Sequence, residues 1–304
     1  CSQSRGLGDV YKRQPLDVLS MPSYQSHMAS DNENVLVFPR PAPVEIAQRS
    51  SLGVFACIIY AVIMREVKSR FGQSNFGYVR ALIEPVVFIF GFVFIWIALE
   101  RATPIAVPIE LFFLCSIAPY TAFVRTWEYT SSAIRANQGL LMFPVVRPLD
   151  FFVARTILEG ASQLLVIVIL CTVMHGIYGE PRLLPEDLLS VLAAFLAAIV
   201  LGAGFGLTTG CLVMEWPFVE VVLLLLRRIM FFTSGIFFIA DTLPGLLKDV
   251  LWWNPMLHVT EWFRSAYFSE ADSQFLSLPF IGGSILLIIT IGLIQERRIQ
   301  RMVL

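Results

Sequence analysis

The chain has 304 residues, 57% of them hydrophobic and 15% charged, with a mean hydropathy of +0.73. A soluble domain carries about 45–50% apolar and about 25% charged residues, so this excess cannot be hidden in one soluble core, and 13% aromatics with few charges exclude a disordered chain. The 22 basic and 23 acidic residues nearly cancel, which removes the basic field of a nucleic-acid binder and leaves an all-α polytopic membrane protein.

Residues 1–20 read as non-native. The string GLGDVYKRQ resembles translated adapter read-through, and no apolar core of a signal peptide follows it. Residues 21–50 read as a flexible cytoplasmic N-terminus with an extended PRPAP linker at Pro39–Pro43, and residues 51–304 as the transmembrane domain. Leu52–Met64 is a 13-residue apolar run closed by Arg65, Glu66, Lys68 and Arg70. A span needs about 20 apolar residues, so this run predicts a helix lying on the cytoplasmic interface. A true span starting near Ile46 is the rival reading.

Six spans are then expected: Ala81–Leu99, Ile109–Ala133, Phe151–His175, Leu188–Met214, Val219–Ala240 and Pro279–Gln295. The second holds Arg125 and Glu128, and the fifth is interrupted by Arg227 and Arg228. Asp241–Ser277, rich in Trp and Tyr and broken at Asn254-Pro255, predicts short external re-entrant helices, since such aromatics favour the membrane–water interface. With both termini cytoplasmic, fourteen basic residues fall inside, and Arg101, Arg182, Lys248 and Arg264 fall outside. That bias fits the positive-inside rule.

Few side chains could carry chemistry. The five cysteines are scattered and the three histidines far apart, which gives little support to a disulfide framework or a zinc site. There is no GxxxxGK[ST] nucleotide cradle. His258 and Glu261, spaced i and i+3, are the one acid/base pair an integral-membrane transferase could use, and a structural capping role competes with that. Gly202, Gly206 and Gly210 form a small-residue stripe for close helix approach. The apolar Leu140–Phe143 of the loop Asn137–Asp150 must dock on membrane or on another protein. A charge inside a span costs several kcal/mol unless it snorkels, pairs or lines a wet cavity. Arg227 and Arg228 therefore either snorkel, or one of them holds an anionic group in an aqueous conduit.

Taken in order, REVKSRFGQSNFGY followed by EP, LLMFPVVRPLD, SGIFF at Ser234–Phe238 and WNPMLHVTEWFR resemble the membrane permease of type-2 ABC exporters for capsular and related surface polysaccharides, the polysialic-acid and capsule export permeases. Arg80 departs from the aromatic residue usual before Ala-Leu in that family. The resemblance implies a half-transporter without enzymatic activity or cofactor of its own, in the cytoplasmic (inner) membrane. It would work as a homodimer on two separate ATPase subunits that carry ATP and Mg. Leu140, Leu141, Met142 and Phe143 would be the coupling helix, with Arg65, Glu66 and Arg70 as a second docking element. Arg227, Arg228 and Phe231 would face the conduit, and Trp252, Trp253, His258, Glu261 and Trp262 would shape the external gate. The implied partners are a lipid-linked polysaccharide, membrane lipids and, in a host with an outer membrane, an envelope-spanning adaptor. O-antigen, teichoic acid, lipid or drug are the alternative cargoes.

Overall fold

A backbone surrounded by hydrocarbon must satisfy its own N–H and C=O groups, and an apolar run does so most simply as a helix. The computed structural model describes residues 51–71, 77–100, 107–142, 146–178, 185–268 and 273–303, all within a unit running from Arg49 to Leu304. Every regular element among them is helical. In chain order these are α1 (Ser51–Phe71), α2 (Gly77–Ala98), α3 (Ile109–Ser131), α4 (Ala133–Ala136), α5 (Pro148–Tyr178), α6 (Leu188–Glu215), α7 (Val219–Thr233), α8 (Gly245–Leu251), α9 (Pro255–Tyr267) and α10 (Leu278–Val303). A 3-10 turn, Gln138–Met142, separates α4 from α5. The expected read-through and flexible N-terminus, residues 1–50, lie outside the described residues.

Among the described residues, four stretches are long and apolar enough to cross a membrane: Ile109–Ser131, Pro148–Gly176, Leu188–Glu215 and Leu278–Arg301. The apolar part of α2, Val86–Ala98, is shorter. The expected fifth span, Val219–Ala240, is helical only to Thr233. Its 15 residues reach about 22 Å at 1.5 Å per residue, short of a hydrocarbon core of about 30 Å. Gly235 ends the run at φ +74, a left-handed conformation that other residues adopt only under strain. The chain then continues in non-helical form to a 3-10 turn at Ala240–Thr242.

α6 is the centre of the bundle, gripped on both faces. A Cβ on Gly202 would strike the Phe123 carbonyl of α3. One on Gly206 would lie 3.0 Å from the Trp127 carbonyl oxygen, and one on Gly210 would lie 2.8 Å from that of Ser131. On the other face α10 lies as close: a Cβ on Gly292 would sit 2.8 Å from Leu207, and the Thr208 hydroxyl donates to the Ile288 carbonyl at 3.0 Å. Helices lacking side chains at the crossing bring backbones together and gain dispersion contacts that lipid cannot match. Trp127 seals the α3–α6 seam, donating from Nε1 to Thr209 Oγ1 at 2.9 Å while its ring meets Phe205 at 5.0 Å.

Asn254-Pro255 separates two short helices, as the sequence predicts. Asn254 caps α9 by accepting from the Met256 N–H at 3.0 Å, and Pro255 takes the first helical turn, where its missing N–H costs nothing. In α9, Met256, Leu257, Val259, His258, Glu261 and Arg264 are all fully buried, because α3 and α6 cover it.

Candidate functional site

Three clusters of polar side chains interrupt this apolar bundle. The first joins α1 to the junction of α3, α4 and α5. Arg155 of α5 donates to Glu66 Oε1 of α1 from Nη2 at 2.8 Å and from Nε at 3.1 Å, and both side chains are buried. Its Nη1 donates to the Tyr129 carbonyl at 2.7 Å and to Ser132 Oγ at 2.8 Å. Asn137 donates to Glu66 at 3.3 Å and to the Ala133 carbonyl at 2.8 Å, while its amide oxygen accepts from Arg65. The guanidinium's donors thus satisfy one carboxylate and close off the end of α3, the arrangement that makes a buried charge tolerable.

From this knot the Gln138–Met142 turn emerges. Leu140 and Leu141 are half-buried against the cluster of Ile59, Val62, Ile134 and Phe151. The structure therefore brings Arg65, Glu66, Leu140 and Leu141 to one place. It also turns Glu66 inward: the residue expected to face a docked ATPase is 5% exposed and committed to Arg155. Phe143 lies outside the described residues, as do the side chains of Met142 and Arg70. Arg155 was visible only as one more inner basic residue, because nothing local links it to a carboxylate 89 positions away.

The second cluster lies between α3 and α7. Consecutive helical positions point about 100° apart, and the structure separates the two arginines accordingly. Arg227 turns toward α3, its guanidinium carbon 5.2 Å from the Trp127 ring centroid and Nη1 3.6 Å from Glu128 Oε1. Its Nη2 donates to Ser131 Oγ at 3.3 Å, and its carbonyl accepts from Tyr120 at 3.1 Å. Arg228 is exposed and makes no ion pair with a described residue. Two turns nearer the start of α7, Glu220 pairs with Arg135 of α4 at 3.0 Å. Phe231 joins Phe88, Phe92, Phe237 and Tyr120 in an aromatic sheet with centroids 5.0 to 5.8 Å apart.

The third cluster ties α9 to the chain leaving α7. Arg264, fully buried, donates from Nη2 to the Gly235 carbonyl at 2.6 Å and from Nη1 to the Phe238 carbonyl at 3.3 Å, and lies over the Phe112 ring at 4.8 Å. Glu261 Oε1 accepts from the Ala240 N–H at 2.8 Å and sits 3.7 Å from Arg264. His258 Nε2 is 2.8 Å from the Trp252 carbonyl, so that nitrogen carries the proton, and its ring stacks on Phe275 at 4.7 Å. His258 and Glu261 each hold separate backbone groups and do not form a shared acid/base pair. Trp252 and Trp262 are half-buried and Trp253 exposed. Asp241 clips the far side: it accepts from Lys248 at 2.8 Å and from Ser273 and the Gln274 N–H at 3.0 Å. Burial raises its carboxyl pKa, but the Lys248 ammonium and these hydrogen bonds outweigh that and hold it below the usual value. Among the described residues, no three His, Cys, Asp or Glu side chains converge as metal ligands.

Residues 58–268, from α1 through α9, match the ABC-2 type transporter family. The chain belongs to that family. It is similar to the polysialic acid transport protein KpsM of Escherichia coli, 29% identical over 257 residues that cover 82% of this chain and 96% of that one. It is 27% identical to the capsule polysaccharide export inner-membrane protein BexB of Haemophilus influenzae, over 83% of this chain and 95% of the relative. The capsule polysaccharide export inner-membrane protein CtrC of Neisseria meningitidis is 27% identical over 80% and 91%. As an ABC-2 membrane domain, the chain is the permease component of a transporter, and all three polar clusters fall within or at the edge of the matched region.

Proposed function

We propose that this ABC-2 permease exports a capsular or related surface polysaccharide, carried on a lipid, across the cytoplasmic membrane. It would do so as a homodimer driven by two separate ATPase subunits that bind ATP and Mg, with both termini on the cytoplasmic side. Similarity over at least 80% of the chain to a polysialic acid transport protein and two capsule polysaccharide export proteins supports the cargo. An envelope-spanning adaptor would follow where the host has an outer membrane.

The observation that carries the mechanism is the Glu66–Arg155–Asn137 knot. An ATPase pushing on an apolar loop moves the membrane helices only if the loop is rigidly attached to them. Leu140, Leu141, Met142 and Phe143 would seat in an ATPase groove, with Arg65 and Arg70 beside them. Glu66 is the positioning residue that fastens α1 to α5 and the loop. Closure of the ATPases would then rock whole helices between two packings. Phe231 and its aromatic neighbours offer apolar faces to sugar rings, which tolerate sliding. Arg227 lies on the substrate side, and Arg228 faces the surroundings of α7. Trp252, Trp253 and Trp262 would shape the external gate, with His258 and Glu261 fixing its backbone.

The test is co-purification with the partner ATPase. Leu141→Asp with Phe143→Asp should leave membrane insertion intact and abolish co-purification and polymer export. Normal co-purification and export by the double variant would remove the coupling loop from this position.

A further inference from the structure

Arg227 is an arginine whose donors are largely unused. A guanidinium offers five N–H donors in a planar fork. Here Nη2 makes one 3.3 Å bond to Ser131, Nη1 stands 3.6 Å from Glu128, and the buried Nε has no partner. The contrast with Arg155, whose Nε, Nη1 and Nη2 each bond at 2.7 to 3.1 Å, is direct. Glu128, the acidic neighbour, is half-exposed at 49%, while the Arg227 side chain is 15% exposed. Trp127 covers one face of the guanidinium, so a ligand must approach in its plane, along the edge that Glu128 partly occupies. Arg227 lies eight residues into α7, about 12 Å from its start, and level with Ser131, the last residue of α3. Charge and apolar surface therefore meet at one depth.

We propose that Arg227 is a binding site for a phosphate group, which enters by displacing Glu128; this rests on the transport reading above. Charge selects the ligand. A carboxylate brings the same single negative charge that Glu128 already supplies, so exchange gains nothing. A phosphate monoester carries about −1.5 to −2 near neutral pH and engages a guanidinium through two parallel N–H···O bonds. Nη1 and the free hydrogen of Nη2 supply that pair once Glu128 swings into solvent, where its exposure already places it. Glu128 thus acts as an internal competitor that keeps the arginine paired between arrivals. The monoester can be the headgroup of a lipid of the phosphatidic acid kind or be free in solution.

The discriminating variant is Glu128→Gln, which removes the competitor and keeps the shape. The purified full chain in dodecyl maltoside, a phosphate-free detergent, is titrated calorimetrically with dihexanoyl phosphatidic acid, dihexanoylglycerol and inorganic phosphate. Phosphatidic acid should bind, Arg227→Gln should lose it, Arg228→Gln should keep wild-type affinity, and Glu128→Gln should bind about two- to fivefold tighter. Binding of phosphatidic acid without inorganic phosphate assigns a lipid source. Equal binding of both, with the same variant pattern, assigns a soluble one. Unchanged or weaker binding by Glu128→Gln overturns the proposal, as does binding that survives Arg227→Gln or is matched by dihexanoylglycerol. If Arg227→Gln fails to fold, Glu128→Gln alone decides. No ATPase is present, so failure here alongside normal ATPase co-purification removes the phosphate site and leaves the transport reading standing.

Discussion

α3 is held on its two flanks by different physics. Toward α6 the contact is dry: glycines admit the α3 backbone, and Trp127 closes the seam with a buried hydrogen bond. Toward α7 the contact is ionic: the half-open pair Arg227–Glu128 joins α3 to α7, a second, Arg135–Glu220, joins α7 to the adjoining α4, and α7 itself has one buried residue, Leu223. Close packing has no intermediate position, since a gap of half an ångström already forfeits much of the contact energy. An exposed ion pair is worth about 0–1 kcal/mol and can re-form elsewhere. The α6 flank is therefore the fixed part of the permease, and α7 is the part able to shift.

The largest effect should come from an ionic contact that, like the dry flank, is buried. Arg155→Ala leaves Glu66 buried without the guanidinium that neutralises it, and breaking such a pair costs about 3–5 kcal/mol. The variant should unfold at markedly lower denaturant and lose ATPase co-purification. Gly206→Val comes next: its first added carbon already meets Thr130 and the Trp127 carbonyl, and overpacking costs about 1–3 kcal/mol. A thermal melt unchanged by that substitution would break the claim of a fixed flank. Asp187 caps α6 by accepting from the Leu189 and Ser190 N–H groups at 3.1 Å, so Asp187→Ala should cost about 1 kcal/mol.

Smaller still is Glu220→Ala on the ionic flank, at about 0–1 kcal/mol, an effect that 1 M salt should erase. A salt-independent loss would place α7 with the fixed helices. The Asp241–Lys248 clip gives the smallest signal. Its carboxyl pKa is depressed in the folded chain, so its contribution is present above the unfolded value of about 4 and lost as pH falls through the folded one. Melts of wild type and Asp241→Asn should differ at pH 7 and converge toward pH 3.

The dry parts of this fold were legible because they are written locally. Uncharged runs mark α5, α6 and α10, the i, i+4, i+8 glycines mark the α6 seam, and Asn254-Pro255 marks the break before α9. Features decided by a distant partner were not. The apolar pattern of Val219–Ala240 continues past Thr233, but Gly235 turns the chain and Arg264, 29 residues on, holds its carbonyl. Glu66 carries no local sign of facing inward, since its cation belongs to α5. The aromatic α9 has the composition of an interfacial helix, yet α3 and α6 cover it, and burial by protein and contact with headgroups select the same side chains. Arg264 spends its charge on two backbone carbonyls of the chain leaving α7, a partnership no local pattern announces.

The most direct measurement asks whether transport needs the ionic flank to part. Arg135→Cys and Glu220→Cys are introduced after replacement of the chain's five cysteines, and the pair is bridged by a short cleavable bis-maleimide in the permease–ATPase complex in vesicles. ATP-dependent movement of capsular polysaccharide should stop on bridging and return when the linker is cleaved. Wild-type movement with the bridge intact would contradict a shifting α7. ATP hydrolysis with no polymer movement, bridged or cleaved, would contradict the proposed cargo.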